Sequence, residues 1–182
     1  MIYFIIGICA IVLVWLFFPR KMPKGKSSKT KSAPYVAVTK AINFVRRRGL
    51  DNARIIIGKQ DSNNFIQFIK KMPNGSPPNV VFYFPIADFS AGYVDILKKE
   101  LVSAGIEYRI READRSLPLK RLPAFARSIQ QFVEVDSGVD MEKALMLLDK
   151  SLTVWGLSKN SSFDIFLFTP FNVFNKAVGF EE

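Results

Sequence analysis

The sequence predicts an α+β domain, a twisted and mainly antiparallel sheet with helices on one face, carried behind a single transmembrane helix. Three observations predict it. Residues 2–18, IYFIIGICAIVLVWLFF, form an uncharged apolar run. The rest of the chain orders its elements as helix, three strands, helix, two strands, helix and one further strand. Strands gathered in adjacent runs, and not alternating singly with helices, are the mark of α+β architecture. The alternative is a three-layer βαβ parallel sheet, which follows if NFIQFIKK is a helix, and it would place ligands at the strand C-termini.

The apolar run comes first. As a helix it is about 25 Å long, close to the roughly 30 Å hydrocarbon layer of a bilayer. Tyr3 and Trp15 stand near its ends, where amphipathic rings favour the headgroup region. It has no positive n-region and no small-residue cleavage site, which argues against a removed signal peptide. It is apolar all round, which argues against a helix of a soluble core. Residues 1–18 are therefore read as an anchor, with Trp15, Arg20, Lys21, Lys24 and Lys26 flanking its exit. Residues 19–34 carry six cations and no acid, and read as a basic flexible tether. Because Lys and Arg stay on the cytoplasmic side, residues 35–182 are expected as one cytoplasmic domain on the inner membrane.

Within that domain, YVAVTKAINFVRRRG reads as an amphipathic helix from Val38, Ala41, Ile42 and Val45, stopped at Gly49. Arg46, Arg47 and Arg48 crowd its last turn, where cations oppose the helix dipole. Their plain reading is a charged helix end in solvent, and contact with lipid phosphate or an acidic partner is the alternative. NARIIIGK is a strand by its β-branched run, and DSNN is a turn. NFIQFIKK is short and rich in β-branched and aromatic residues, so strand is preferred. Regular structure breaks at MPNGSPPN, and VVFYFPI follows as a central strand. SAGYVDILKKELVSAG is a helix with Ser90 as N-cap and Gly105 at its end. IEYRIREA alternates Ile106, Tyr108 and Ile110 against charged residues, predicting a half-exposed strand. DRSLPLKRLPAFARS is irregular and basic, and QQFVEVD is a strand. Residues 139–155 form a helix with Met141, Leu145, Leu148, Leu152 and Trp155 inward, ended by Gly156. FDIFLFTPF adds an edge strand, closed by Pro170, and a tail follows.

Chemistry is narrowed by composition. The chain has no histidine, and its single cysteine, Cys9, lies in the anchor. Cys/His zinc sites, cysteine nucleophiles and His-based triads are excluded, because their ligands and bases do not exist here. No phosphate-cradling glycine motif occurs. Glu134, Asp136 and Asp140 are the closest carboxylate cluster, and a metal-assisted membrane enzyme would use them. Their spacing is not that of a calcium loop, and Asp140 is placed to cap the next helix. The 26 basic and 16 acidic residues give a net charge of +10. Removing the six tether cations leaves 20 against 16, an ordinary excess that gives no support to specific nucleic-acid binding.

FIQF, a loop, VVFYFPIADFS leading into a helix that closes with SAGIEY, and later FVEVDSGVDMEKALMLL ending in VWGL resemble type III secretion chaperone-like domains, including YbjN-type proteins. The resemblance covers about residues 35–164 and has no sharp motif. It implies a non-enzymatic fold that binds peptides or proteins through an open sheet face and its edges, often as a homodimer. The anchor and the basic balance depart from soluble chaperones of that class.

The expected function is thus a membrane-anchored protein- or peptide-binding module without cofactor or metal, its partners the lipid bilayer and a protein or peptide. A structural part of an envelope, secretion or conjugation machine is the alternative. Binding would use apolar side chains of an uncovered sheet face or the backbone of an edge strand. The candidate contacts are Phe65, Gln67, Ile69, Phe82, Phe84, Tyr108, Phe132, Phe166 and Phe168. The 17 phenylalanines support an interface, since one small core would struggle to hide them all.

Overall fold

A computed structural model describes residues 26–49, 51–72, 77–112, 129 and 131–169. The expected anchor, its flanking residues Trp15, Arg20, Lys21 and Lys24, the basic segment 114–128 and the tail after Pro170 lie outside these. Among the described residues no helix is long and apolar enough to cross a membrane.

The chain runs β1 (Lys26–Pro34), α1 (Tyr35–Arg48), β2 (Arg54–Lys59), β3 (Phe65–Lys71) and β4 (Asn79–Ile86). A short 3-10 turn, Asp88–Ser90, leads into α2 (Ala91–Ser103). Then follow β5 (Arg109–Glu112), β6 (Gln131–Asp136), α3 (Met141–Val154) and β7 (Ser162–Thr169). The strands make one sheet in the order β1-β7-β2-β3-β4-β6-β5. Every pairing within it is antiparallel. The fold is therefore α+β, NFIQFIKK is a strand, and the parallel alternative falls.

The sheet separates two apolar layers, because strand side chains alternate between faces. On one face Ile55, Ile57, Ile66, Phe68, Phe82, Phe84, Val133, Ile165 and Leu167 join the inward residues of the three helices in the larger core. The helices earn this position by their spacing: Val38, Ala41, Ile42 and Val45 of α1, Val94, Leu97 and Leu101 of α2, and Leu148 and Leu152 of α3 are all buried. On the opposite face Ile56, Phe65, Ile69, Val81, Tyr83, Phe132 and Phe168 form a second cluster with Ile129.

Four expectations are corrected. Residues 26–34 form a strand where a flexible tether is expected. The segment KSSKTKSAP has no apolar alternation to announce it, and it is held by backbone pairing to β7. As a result β7 is interior, flanked by β1 and β2, and is not an edge. β5 is shorter than IEYRIREA and exposed at all four residues, because the sheet ends there and no strand beyond it covers Ile110 among the described residues. Ser90 precedes α2 without capping it by its side chain. Its hydroxyl instead donates to the Pro85 carbonyl at 2.8 Å and accepts from the Ala87 amide at 3.1 Å, which secures the turn out of β4. Asp140, by contrast, caps α3 as expected, accepting the Glu142 amide at 2.8 Å.

Candidate protein-docking edge

The register of the sheet assembles a cross-strand row on the face opposite α1, α2 and α3: Phe166, Ile56, Gln67, Tyr83, Glu134 and Arg109, from β7 through β2, β3, β4 and β6 to β5. The row begins apolar and ends in charge. Glu134 is 2% exposed. Arg109 Nε donates to its Oε1, and Arg111 Nε donates to Oε2 at 3.1 Å. Burial alone would raise the pKa of Glu134. Hydrogen bonds from Arg109, Tyr83 and Arg111 and the Arg109 charge outweigh that and hold it below the ordinary value. Both guanidinium groups remain more than half exposed, at 63% and 58%. A buried carboxylate thus fixes two solvent-facing cations on the last strand of the sheet.

That strand is short, and among the described residues no other strand pairs with its outer side. All of Arg109, Ile110, Arg111 and Glu112 are exposed, Ile110 at 47%. An edge strand offers unpaired amides and carbonyls to any extended chain that reaches it. The other edge is defended. β1 carries exposed Lys29 and Lys31, and its ladder shifts between Thr30 and Ala33, where Ser32 has φ 51°. A bulge and lysines are both devices that discourage strand addition.

The nine contact candidates divide. Phe65, Gln67, Ile69, Phe132 and Phe168 share the face opposite the three described helices but are buried, and Phe166 is half-buried there. Phe65 and Phe132 meet edge to face at 6.4 Å, and Phe132 meets Tyr83 at 5.8 Å. Phe82 and Phe84 point the other way, into the larger core, against Phe68 at 5.3 Å and Trp155 at 6.0 Å. Tyr108, just before β5, packs partly buried on the same larger core. An uncovered apolar sheet face is therefore not what these residues make. Sequence reasoning missed Arg109, Arg111 and the Glu134 beneath them. IEYRIREA and EVDSGVD gave the charges without their register, and only strand pairing brings residues 109 and 134 together.

The carboxylate cluster of EVDSGVD is dispersed among separate duties. Glu134 serves the arginines, and Asp136 accepts the Gly138 amide at 2.7 Å and the Asn79 side chain at 2.8 Å. Asp140 caps α3. Among the described residues no set of three acids could share a metal ion. A groove of about 550 Å³ between α2 and α3 is lined by Glu100, Leu145, Met146, Asp149, Lys150 and Thr153. Glu100, Asp149 and Lys150 are already engaged: Lys150 meets Glu100 at 3.0 Å, and Asp149 takes Lys159 at 2.9 Å and the Tyr35 hydroxyl at 2.6 Å. Burial and the Asp149 bond push the Tyr35 phenol above its usual range.

The fold and this edge define a class, an α+β protein with one long antiparallel sheet and a cationic open edge. Comparison with known proteins finds no matching family model, no matching curated protein and no matching solved structure.

Proposed function

We propose that the protein is a membrane-anchored, non-enzymatic binding module of the type III secretion chaperone-like kind, which holds an extended acidic segment of a partner protein at the cytoplasmic face. The observation that carries this reading is the exposed β5 edge with Arg109 and Arg111 locked beside it by Glu134. Strand addition supplies backbone hydrogen bonds, which are blind to sequence, and the two arginines supply a preference for carboxylates on the added strand. The apolar leading run keeps the module at the bilayer, and the cations that follow it set its orientation.

Hydrogen exchange on the detergent-solubilised full chain, with and without a peptide of alternating Glu and Val, tests the edge. The amides of residues 109–112 are expected to gain protection. R109Q/R111Q is expected to weaken binding about tenfold or more, as the loss of charge-assisted bonds of this kind does. Protection confined to β1, or equal binding of a Lys/Val peptide, would sink the proposal. Protease added outside intact cells should leave residues 35–182 uncut; digestion there would refute the orientation.

A further inference from the structure

The antiparallel register sends one group of chain ends to the same end of the sheet. β1 begins at Lys26, paired with Thr169, the last residue of β7. Phe168 lies opposite Arg54, the first residue of β2, and Arg54 lies opposite Ile69, near the end of β3. α1 starts at the far end, directly after Pro34, and runs back over β1, β7, β2 and β3. Its last turn therefore arrives where β1 begins. Gly49 and the turn to Ala53 then bring the chain into β2, and the Lys70 amide bonds the Ala53 carbonyl at 2.8 Å.

This end is strongly basic on the side of β1. It carries Arg46, Arg47 and Arg48 from α1 and Lys70 and Lys71 from β3. Arg47 and Arg48 are exposed, and Lys71 is half-buried with its ammonium on the Asn52 side chain at 2.8 Å. Arg46 is anchored to the Val139 carbonyl at 2.9 Å and to Asn43 at 3.2 Å, and Lys70 is buried beneath. The acids at this end are Asp51 and Asp136, both engaged in local hydrogen bonds, and a corner of Glu107, Asp140 and Glu142, with Lys143 among them, on the α3 side. From β1 to β3 is three strand spacings, about 14 Å. The far end is different in character: Asp61, Asp88 and Glu112 stand there with Lys59 and Lys159.

We propose that Arg47, Arg48 and Lys71 dock the domain on anionic lipid headgroups, basic end down, with the acidic corner tilted away. This rests on the anchor reading above, since seven residues, Pro19 to Gly25, separate the apolar run from Lys26. Fully extended they span at most about 25 Å, so Lys26 and the cations beside it stay within reach of the leaflet. A cation that this reach brings within the roughly 8 Å Debye length of physiological salt gains attraction to anionic lipid worth about fivefold in partitioning. Docking this way leaves β5, at the opposite margin of the sheet from β1, free to take a partner.

The test uses the full chain with Cys9 changed to serine and one dye at M72C, beside the basic end, or at N63C, on the far turn. Each is reconstituted with vesicles whose headgroups carry a quencher. In phosphatidylserine-containing vesicles the dye at 72 is expected to be quenched far more than the dye at 63. The difference should collapse in neutral phosphatidylcholine, at high salt and, by more than tenfold in apparent lipid affinity, in R47Q/R48Q. Equal quenching at 72 in both lipids, or stronger quenching at 63, would overturn the docking. Flotation with neutral vesicles reads the anchor alone. A chain that fails to float there, yet still brings position 72 to phosphatidylserine, would refute the anchor and keep the docking.

Discussion

At the residue scale, charge buried in the sheet decides how stability should vary with pH. Glu134 has its pKa held below the ordinary 4.5, so its ionised form stabilises the fold above that pH, and the contribution is lost as pH falls through the lowered value. E134Q removes the charge shared by Tyr83, Arg109 and Arg111 and replaces one of their two acceptor oxygens with an NH2 donor. It is expected to cost about 2–3 kcal/mol at pH 7, with the difference from wild type shrinking below pH 4.5 in denaturant titrations. Lys70 is the opposite case. Burial first, and Arg46 second, lower its pKa from 10.5, so its charged form opposes folding at neutral pH. K70M is expected to raise the melting midpoint by about 2–4 °C, the shift that 1 kcal/mol gives in a domain of this size. That gain should fade as pH rises through the lowered native value towards 10.5, because the native lysine then sheds its proton. Gly49 stands where the sequence places a helix stop, but its φ of −61° is open to any residue. What requires glycine is space: a Cβ there would collide with the Val45 carbonyl and lie 2.9 Å from the Ala53 Cβ. G49A is expected to cost about 1–3 kcal/mol in equilibrium unfolding, as overpacking does.

At the element scale, legibility followed burial. β2, β3, β4 and β6, with α1, α2 and α3, were readable because each is packed on a core and carries the periodicity that packing imposes. β1 was not, since only Ala33 among its described side chains is buried and the rest are Ser, Thr, Lys and Pro at a solvent edge. Missing β1 also put β7 at the margin, although its Phe163, Ile165 and Leu167 are core residues. The docking edge was half legible: the charges of IEYRIREA were visible, but its alternation suggested a buried Ile110 that the end of the sheet leaves in water. A truncation pair follows from β1. Deleting residues 1–34 uncovers the backbone edge of β7, an apolar strand, whereas deleting residues 1–25 keeps β1 in place. The shorter deletion is expected to give a monodisperse domain with a cooperative melt. The longer one is expected to aggregate or melt several degrees lower, because an exposed apolar edge invites pairing between chains. Equal behaviour of the two in size-exclusion chromatography and thermal melts would show that β1 contributes nothing to the fold.

At the scale of the whole molecule, one sheet with an apolar layer on each face buries most of the phenylalanines among the described residues, which the sequence alone assigns partly to an interface. Phe68, Phe82, Phe84 and Phe163 fill the helix side, and Phe65, Phe132 and Phe168 fill the other. With both layers buried, the margin of the sheet is what the described residues offer a partner: β5 at one side, the basic end at another. A matched pair of substitutions separates this arrangement from one with an open apolar face. Phe82→Ala removes a ring from the helix-side core, and Phe132→Ala removes one from the second layer, where it touches Phe65 and Tyr83. Phe82 is 0% and Phe132 4% exposed, so both should pay the full transfer and cavity cost of about 3–5 kcal/mol. Both should also unfold in a single transition, because the strands that carry the two layers are the same strands. If Phe132 instead served an open binding face, F132A would leave guanidinium stability nearly untouched and abolish partner capture alone. A large loss of stability in F82A with none in F132A would therefore return the sheet face to the list of docking surfaces and remove β5 from its head.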